Sequence, residues 1–163
     1  MITADRGNAP EVRIEENAFH RGEAIALDAA PHESGGILVG WWEGDGIAVV
    51  RGLLAVPDHR AGHTHYERRH TPAQQVLDEY LATSSEPNVG YVGEWHSHPT
   101  PQPPSPTDRH ALTGLVRQAR HSVALVVLAV MSEHAVEAYS LIGEPCWPSR
   151  ATIKPADVER IAP

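Results

Sequence analysis

The chain has few of the features that mark several large classes of protein. It contains one cysteine, Cys146, in 163 residues. A single thiol excludes an internal disulfide and any zinc site built from several cysteines, and it suits a reducing compartment. No run of about 18 apolar residues is present, and the N-terminal residues lack the apolar stretch of a signal peptide. We therefore expect a soluble, cytoplasmic protein that does not interact with a membrane.

Clustered basic residues are also missing. The formal net charge is -8, and a nucleic-acid-binding surface would need grouped Lys and Arg, so nucleic acid is not an expected partner. The length suits one domain with a substantial core. We expect a mobile leader over residues 1–10 and one domain over residues 11–163 that ends in a Pro-rich tail.

Hydrophobic spacing predicts a mixed order of helices and strands. The predicted helices cover residues 16–30, 72–84 and 106–120, and the predicted strands cover residues 33–42, 46–56, 89–95, 122–131 and 135–142. A short edge strand is predicted at 12–14, and a short helix at 156–161 in a tail that packs over an edge. The apolar strand at 122–131 should be central and buried on both faces. This pattern predicts an α/β fold with a mixed sheet sandwiched by helices.

The most informative stretch is Gly93-Glu94-Trp95-His96-Ser97-His98-Pro99. We expect a turn at the end of the strand to bring His96 and His98 to one point. Asp108 follows on the first turn of a predicted helix. Two imidazoles and a carboxylate suit zinc, and three protein ligands leave one coordination position open, as in catalytic rather than structural zinc sites.

The segment Ser105-Pro106-Thr107-Asp108 has a second explanation as a helix start. Ser105 would be the N-cap, Pro106 the first helical residue, and Asp108 the partner of a capping box. The two roles are compatible, because a carboxylate on the first turn is favoured by the helix dipole and can still offer an oxygen to a metal.

A water that attacks an amide needs a general base, and the metal ligands cannot serve while they are bound. Glu33, Glu43 and Glu94 are the candidates, and the residues alone do not rank them. A second His-x-His, His63-Thr64-His65, lies in a predicted polar loop at 57–71 among arginines. We interpret it as a solvated or substrate-facing loop rather than a second metal site.

Taken together, these residues resemble the JAMM motif of the JAB1/MPN/Mov34 metalloprotease superfamily, and Gly-Glu-Trp-His-Ser-His-Pro is similar to its prokaryotic JAB branch. The resemblance covers about residues 12–142 and is anchored at Glu33 to Gly40 and at His96 to Asp108. It implies the cytidine-deaminase-like JAB/MPN fold. It also implies zinc held by His96, His98 and Asp108, Glu33 as general acid/base, and Ser105 as an oxyanion stabiliser.

The resemblance further implies a deubiquitinase-like isopeptidase that cleaves after the C-terminal Gly-Gly of a ubiquitin-like protein. Cognate activating and conjugating enzymes would be further partners, and the polar loop would contact substrate. The alternatives are a catalytically silent MPN-type scaffold and a peptidase that acts on a sulfur-carrier protein or a small peptide. This chain departs from the family pattern in one respect, because six residues rather than seven separate His98 from Ser105.

Overall fold

The computed structural model describes residues 9–44, 46–57 and 70–163. In chain order the elements are β1 (Glu11–Glu15), α1 (Glu16–Ala29), β2 (Gly35–Glu43), β3 (Ile47–Ala55), α2 (His70–Thr83), β4 (Gly90–His98), α3 (Pro106–Ala119), β5 (Val123–Ser132), β6 (Ala135–Cys146) and β7 (Arg150–Ile161). The predicted loop at 57–71 and the His63-Thr64-His65 motif lie almost entirely outside the described residues, as does most of the predicted leader.

The predicted mixed sheet is confirmed, but it is closed rather than open. Its strands follow the order β1-β3-β2-β4-β5-β6-β7, and β7 pairs with both β6 and β1. The β4–β5, β1–β3 and β1–β7 pairs are parallel, and the other pairs are antiparallel. The predicted α/β class with a mixed sheet is compatible with this structure, but the sheet closes on itself and is not exactly the predicted sandwich. The strand at the chain start is also not an edge strand, because β1 has a neighbour on each side.

The C-terminal segment differs most from its prediction. Residues 156–161 belong to β7 rather than to a short helix. Ile153 packs against the cluster under α3, whereas Ala156 and Val158 pack against the cluster around α1. Before Pro155 the strand therefore buries side chains on the α3 side of the sheet, and after Pro155 it buries side chains on the α1 side. Pairing with two neighbouring strands outweighs the weak helical pattern of so short a segment.

Strand β5 is buried on both faces, as predicted. Ala124, Val126 and Leu128 belong to the cluster that α1 covers, whereas Leu125 and Val127 belong to the cluster under α3. Helix α2 covers a third cluster beside β2 and β4. Helices therefore lie on both faces of the sheet, as the sequence predicted, and none of the described helices has the length and hydropathy to span a bilayer.

Candidate metal centre

The two histidines of the central motif lie at the end of β4. The strand runs through His98, so no turn separates the histidines, and that prediction was wrong. Residues two apart on a strand face the same side, and regular strand alternation therefore directs both rings to one face. Ser97 between them is fully buried on the other face.

Asp108 comes from the first turn of α3. The Ser105 hydroxyl accepts the Asp108 N–H at 3.2 Å, and Asp108 Oδ2 accepts the Ser105 N–H at 2.6 Å. The predicted capping box is therefore present, with Pro106 in the first turn. This box holds the Asp108 carboxylate at the helix start, where the helix dipole favours negative charge.

The loop from Pro99 to Pro104 joins the two parts of the site. The carbonyl of Gln102 lies 2.8 Å from His98 Nδ1 and can accept its proton. That arrangement leaves Nε2 of His98 with a free lone pair, and it is the way in which metal-binding histidines are commonly oriented. The loop is one residue shorter than the family pattern, yet it still brings Asp108 to the histidines.

The three side chains converge on one point. Asp108 Oδ1 lies 2.8 Å from His96 Nε2, and Oδ2 lies 3.4 Å from His98 Nε2. The two Nε2 atoms are 3.3 Å apart. A tetrahedral site with zinc–ligand bonds of about 2.0–2.1 Å places its donor atoms about 3.3 Å from one another. Within the described part of the chain, these residues are the only group of this kind that could hold a metal ion, and the chemistry of their donors suits zinc.

Hydrogen bonds keep the Asp108 carboxylate ionised in spite of its burial. Burial of the Asp108 carboxyl opposes its ionisation, but hydrogen bonds with His96 and His98 hold the pKa of Asp108 well below its ordinary value. The hydrogen bond with Asp108 raises the pKa of His98 in spite of burial, and the negative charge of Glu33 acts in the same direction. A carboxylate that stays ionised is ready to bind a cation.

The three candidate bases lie at different places. Glu33 lies two residues before β2 and is partly buried, and its negative charge raises the pKa of His98. Glu43 is at the far end of the same strand, eight residues or about 26 Å from Gly35, and its carboxylate binds Arg13. Glu94 lies on β4, where its carboxylate accepts a hydrogen bond of 3.4 Å from the Tyr91 hydroxyl. Glu43 is therefore separated from the candidate ligands along β2, whereas the charge of Glu33 acts on the candidate ligand His98.

The sequence analysis assigned no role to two serines beside this site. The Ser97 hydroxyl lies 2.9 Å from both the backbone nitrogen and the hydroxyl of Ser34, the residue after Glu33. The only signal in the sequence is that each serine adjoins a candidate site residue. Nothing in the spacing shows that the two segments are neighbours.

The chain is thus an α/β domain in which two histidines at the end of β4 and an aspartate at the start of α3 come together. The chain matches the family model described as prokaryotic homologs of the JAB domain over residues 15–142, and it belongs to that family. The predicted family resemblance is thereby confirmed.

Two relatives and one solved structure are among the proteins that are similar to the chain. A protein named CD-NTase/cGAS isopeptidase from Enterobacter hormaechei subsp. hoffmannii (strain UCI 50) is 29% identical over 118 residues, which is 71% of this chain and 63% of that protein. The probable metalloprotease y4qB of Sinorhizobium fredii (strain NBRC 101917 / NGR234) is 29% identical over 104 residues, which is 58% of this chain and 61% of that protein. The matches thus span less than two thirds of these relatives.

The solution structure of protein DSY2949 from Desulfitobacterium hafniense has a TM-score of 0.64 with 17% sequence identity, over 93% of this chain and 94% of that one. At this identity the likeness shows the fold alone.

Proposed function

We propose that this protein is a zinc-dependent isopeptidase of the JAMM type. The observation that carries the proposal is the convergence of His96, His98 and Asp108 within 4.8 Å of one another, with the Glu33 charge close enough to act on His98. Membership of the JAB family supports it. Relatives named as an isopeptidase and a probable metalloprotease support it as well.

The three converging side chains would hold the metal. When bound there, zinc would polarise the scissile carbonyl and acidify the attacking water. His98 keeps its orientation through Gln102, and Asp108 keeps its own through the capping box.

Glu33 would act as the general acid/base. Its carboxylate would take a proton from the attacking water and return that proton to the leaving amine, which balances the hydrolysis of an amide bond. It can do so because it is not one of the three converging donors. Ser105 would stabilise the oxyanion. Its hydroxyl donates to Asp108 Oδ2 at 3.0 Å, so that role would require the hydroxyl to donate to the oxyanion instead.

The proposal extends to the class of substrate. An isopeptidase relative favours a protein joined through an isopeptide bond, and we propose a ubiquitin-like protein with a C-terminal Gly-Gly, or its conjugates, in the cytoplasm. Cognate activating and conjugating enzymes would then be partners. A silent scaffold is the less favoured candidate, because the three side chains that would hold the metal converge.

Metal content tests the site before any substrate is known. We expect about one zinc per chain by elemental analysis, lost in His96→Ala and kept in His134→Ala, an exposed histidine in the β5–β6 turn. The zinc-loaded protein should then cleave a ubiquitin-like fusion after Gly-Gly faster than a short peptide of the same terminal sequence. No zinc after reconstitution would refute the site, and faster cleavage of the short peptide would refute the substrate class.

A further inference from the structure

Ser97 lies between the two histidines, but it faces the other side of β4 and cannot contact a metal ion held by them. It is 0% exposed, and regular alternation directs its side chain to the core side of β4, where Trp95 is also fully buried. A hydroxyl in such a place needs hydrogen-bond partners within the protein. Within residues 9–44, 46–57 and 70–163, the hydrogen-bond partners of this hydroxyl all belong to Ser34.

The contact between Ser97 and Ser34 replaces half of a normal strand pair. The Ser97 N–H donates to the Ser34 carbonyl at 2.8 Å, as in an antiparallel ladder, which would return a second bond from the Ser34 N–H to a carbonyl. Here the Ser34 N–H donates instead to the Ser97 hydroxyl at 2.9 Å. The regular pairing of β2 with β4 correspondingly begins one residue later, at Gly35 and His96.

The bond between the Ser34 N–H and the Ser97 hydroxyl lies where the chain enters β2. The carbonyl of Gly35 also accepts the N–H of Val56, the residue after β3, at 3.0 Å. Both residues after Glu33 are therefore held by backbone hydrogen bonds to neighbouring segments. Glu33 is thus one residue from an anchor on Ser97, which itself lies between His96 and His98. The same short stretch of β4 sets the histidines and the backbone next to Glu33.

We infer that Ser97 is a positioning residue that sets Glu33 against the metal-binding histidines. The inference rests on the proposed function, because it assumes that Glu33 transfers the proton. A misplacement of about 1 Å can lower a rate on the order of 100-fold. Loss of the Ser97 hydroxyl should therefore reduce turnover without removing the metal.

The first test compares variants of the zinc-loaded full chain. We expect Ser97→Ala to lower kcat by about 10- to 100-fold, with KM and zinc stoichiometry unchanged, and Ser97→Thr to restore most of it. Ser140→Ala is the matched control, because Ser140 is also buried and its hydroxyl donates to the Ala156 carbonyl at 2.8 Å. Equal losses in Ser97→Ala and Ser140→Ala, or loss of zinc in Ser97→Ala, would overturn the inference.

A double variant separates positioning from general stability. Ser97→Ala in a Glu33→Gln background should cost no further activity, since the group being positioned is already disabled. Additive losses would contradict the inference. Ser34→Ala removes only the contact between the two hydroxyls and provides a milder variant if Ser97→Ala does not fold. It should lower kcat in the same direction, and an unchanged kcat would also count against the inference.

A spectroscopic measurement does not depend on turnover. Zinc added to protein with a 13C-labelled Glu33 carboxyl should shift that resonance in the wild type and in Ser140→Ala, and shift it less in Ser97→Ala. Equal shifts in all three would overturn the positioning role even if no substrate were cleaved. An inactive wild type that shows the expected difference in shift would instead refute the proposed reaction and leave the positioning intact.

Discussion

Single side chains decide the chemistry proposed for this domain. Glu33 lies two residues before β2 and Glu43 is the last residue of that strand. The negative charge of Glu33 raises the pKa of His98, whereas the Glu43 carboxylate pairs with Arg13. The same residue type thus has different surroundings at the two ends of β2. Matched glutamine substitutions at these two positions can test whether only Glu33 contributes to catalysis.

Glu33→Gln should keep zinc and lower kcat by about 10²- to 10⁴-fold, because the amide cannot accept the proton of the attacking water. Glu43→Gln should change kcat little, because that carboxylate is exposed and bound to Arg13. Zinc content and turnover are measured together. Loss of zinc in Glu33→Gln would make Glu33 a ligand and contradict its assignment.

Ser105 combines a structural contact with a proposed catalytic one. Ser105→Ala removes the N-cap of α3 and should reduce the free energy of unfolding by about 1 kcal/mol. If the hydroxyl also serves the oxyanion, kcat should fall about 10²- to 10³-fold, and Ser105→Thr should restore both. Denaturation and kinetics on the same samples separate the roles, since an unchanged kcat would leave Ser105 as a helix cap only.

The paired His98 and Asp108 predict a pH dependence of stability in the chelator-treated protein. Because the pKa of His98 is raised, its contribution is present below the ordinary histidine pKa of about 6.5 and is lost as pH rises through the raised value. Because the pKa of Asp108 is lowered, its contribution is present above about 3.9 and is lost on acidification below that.

The unfolding free energy of the metal-free wild type should therefore exceed that of His98→Gln most between about pH 4 and 6.5, with the difference shrinking toward alkaline pH. Denaturant titrations across this range provide the measurement. Parallel profiles for the two proteins would show that the pair does not form in solution.

Among the elements, α3 connects the candidate metal centre to the hydrophobic core. It supplies Asp108 at one end and packs Leu112 and Val116 over the sheet, both fully buried. Burial of such side chains contributes about 1.5–3 kcal/mol each. The helix approaches β6 at Gly143, where an added Cβ would lie 2.5 Å from Val116 Cγ2 and 3.0 Å from Ile153 Cδ1.

Two glycine-to-alanine substitutions should have opposite effects. Gly143→Ala should reduce the free energy of unfolding by about 1–3 kcal/mol, because α3 must move away from β6. Gly114→Ala should increase it by about 0.5–1 kcal/mol, because Gly114 lies within α3 with no atom within 4 Å of the new methyl group. Thermal denaturation of both variants provides the comparison, and destabilisation by Gly114→Ala would contradict the packing described.

For the whole molecule, closure of the sheet depends on β7. This strand pairs with β6 along seven residues and with β1 along five. Without it, β1 and β6 would each present an unpaired edge, and such edges promote aggregation. The C-terminal segment is therefore part of the fold rather than a tail.

Deletion of residues 147–163 should give a protein that aggregates or unfolds without a cooperative transition. Lys154→Ala, which changes an exposed side chain on the same strand, should stay monodisperse and keep its unfolding free energy within about 0.5 kcal/mol. Light scattering and denaturation would show the difference. A monodisperse, cooperatively folded deletion variant would refute this role of β7.

The sequence by itself determined the features that depend on local periodicity and on a compact motif. Helical spacing located α1 and α3, continuous apolar character located β5, and the Ser105–Asp108 pattern predicted the capping box, because each of these signals lies within a few residues. The histidines and Asp108 were also predicted as a group, because one short loop joins them.

Only the tertiary structure decided what depends on contacts between distant segments. It closed the sheet through β7 and set Glu43 at the end of β2 far from the histidines. It also paired Ser97 with Ser34, which is 63 residues away. Strand pairing and register are set by the whole fold, because the residues of one strand do not by themselves specify which strand will pair with it.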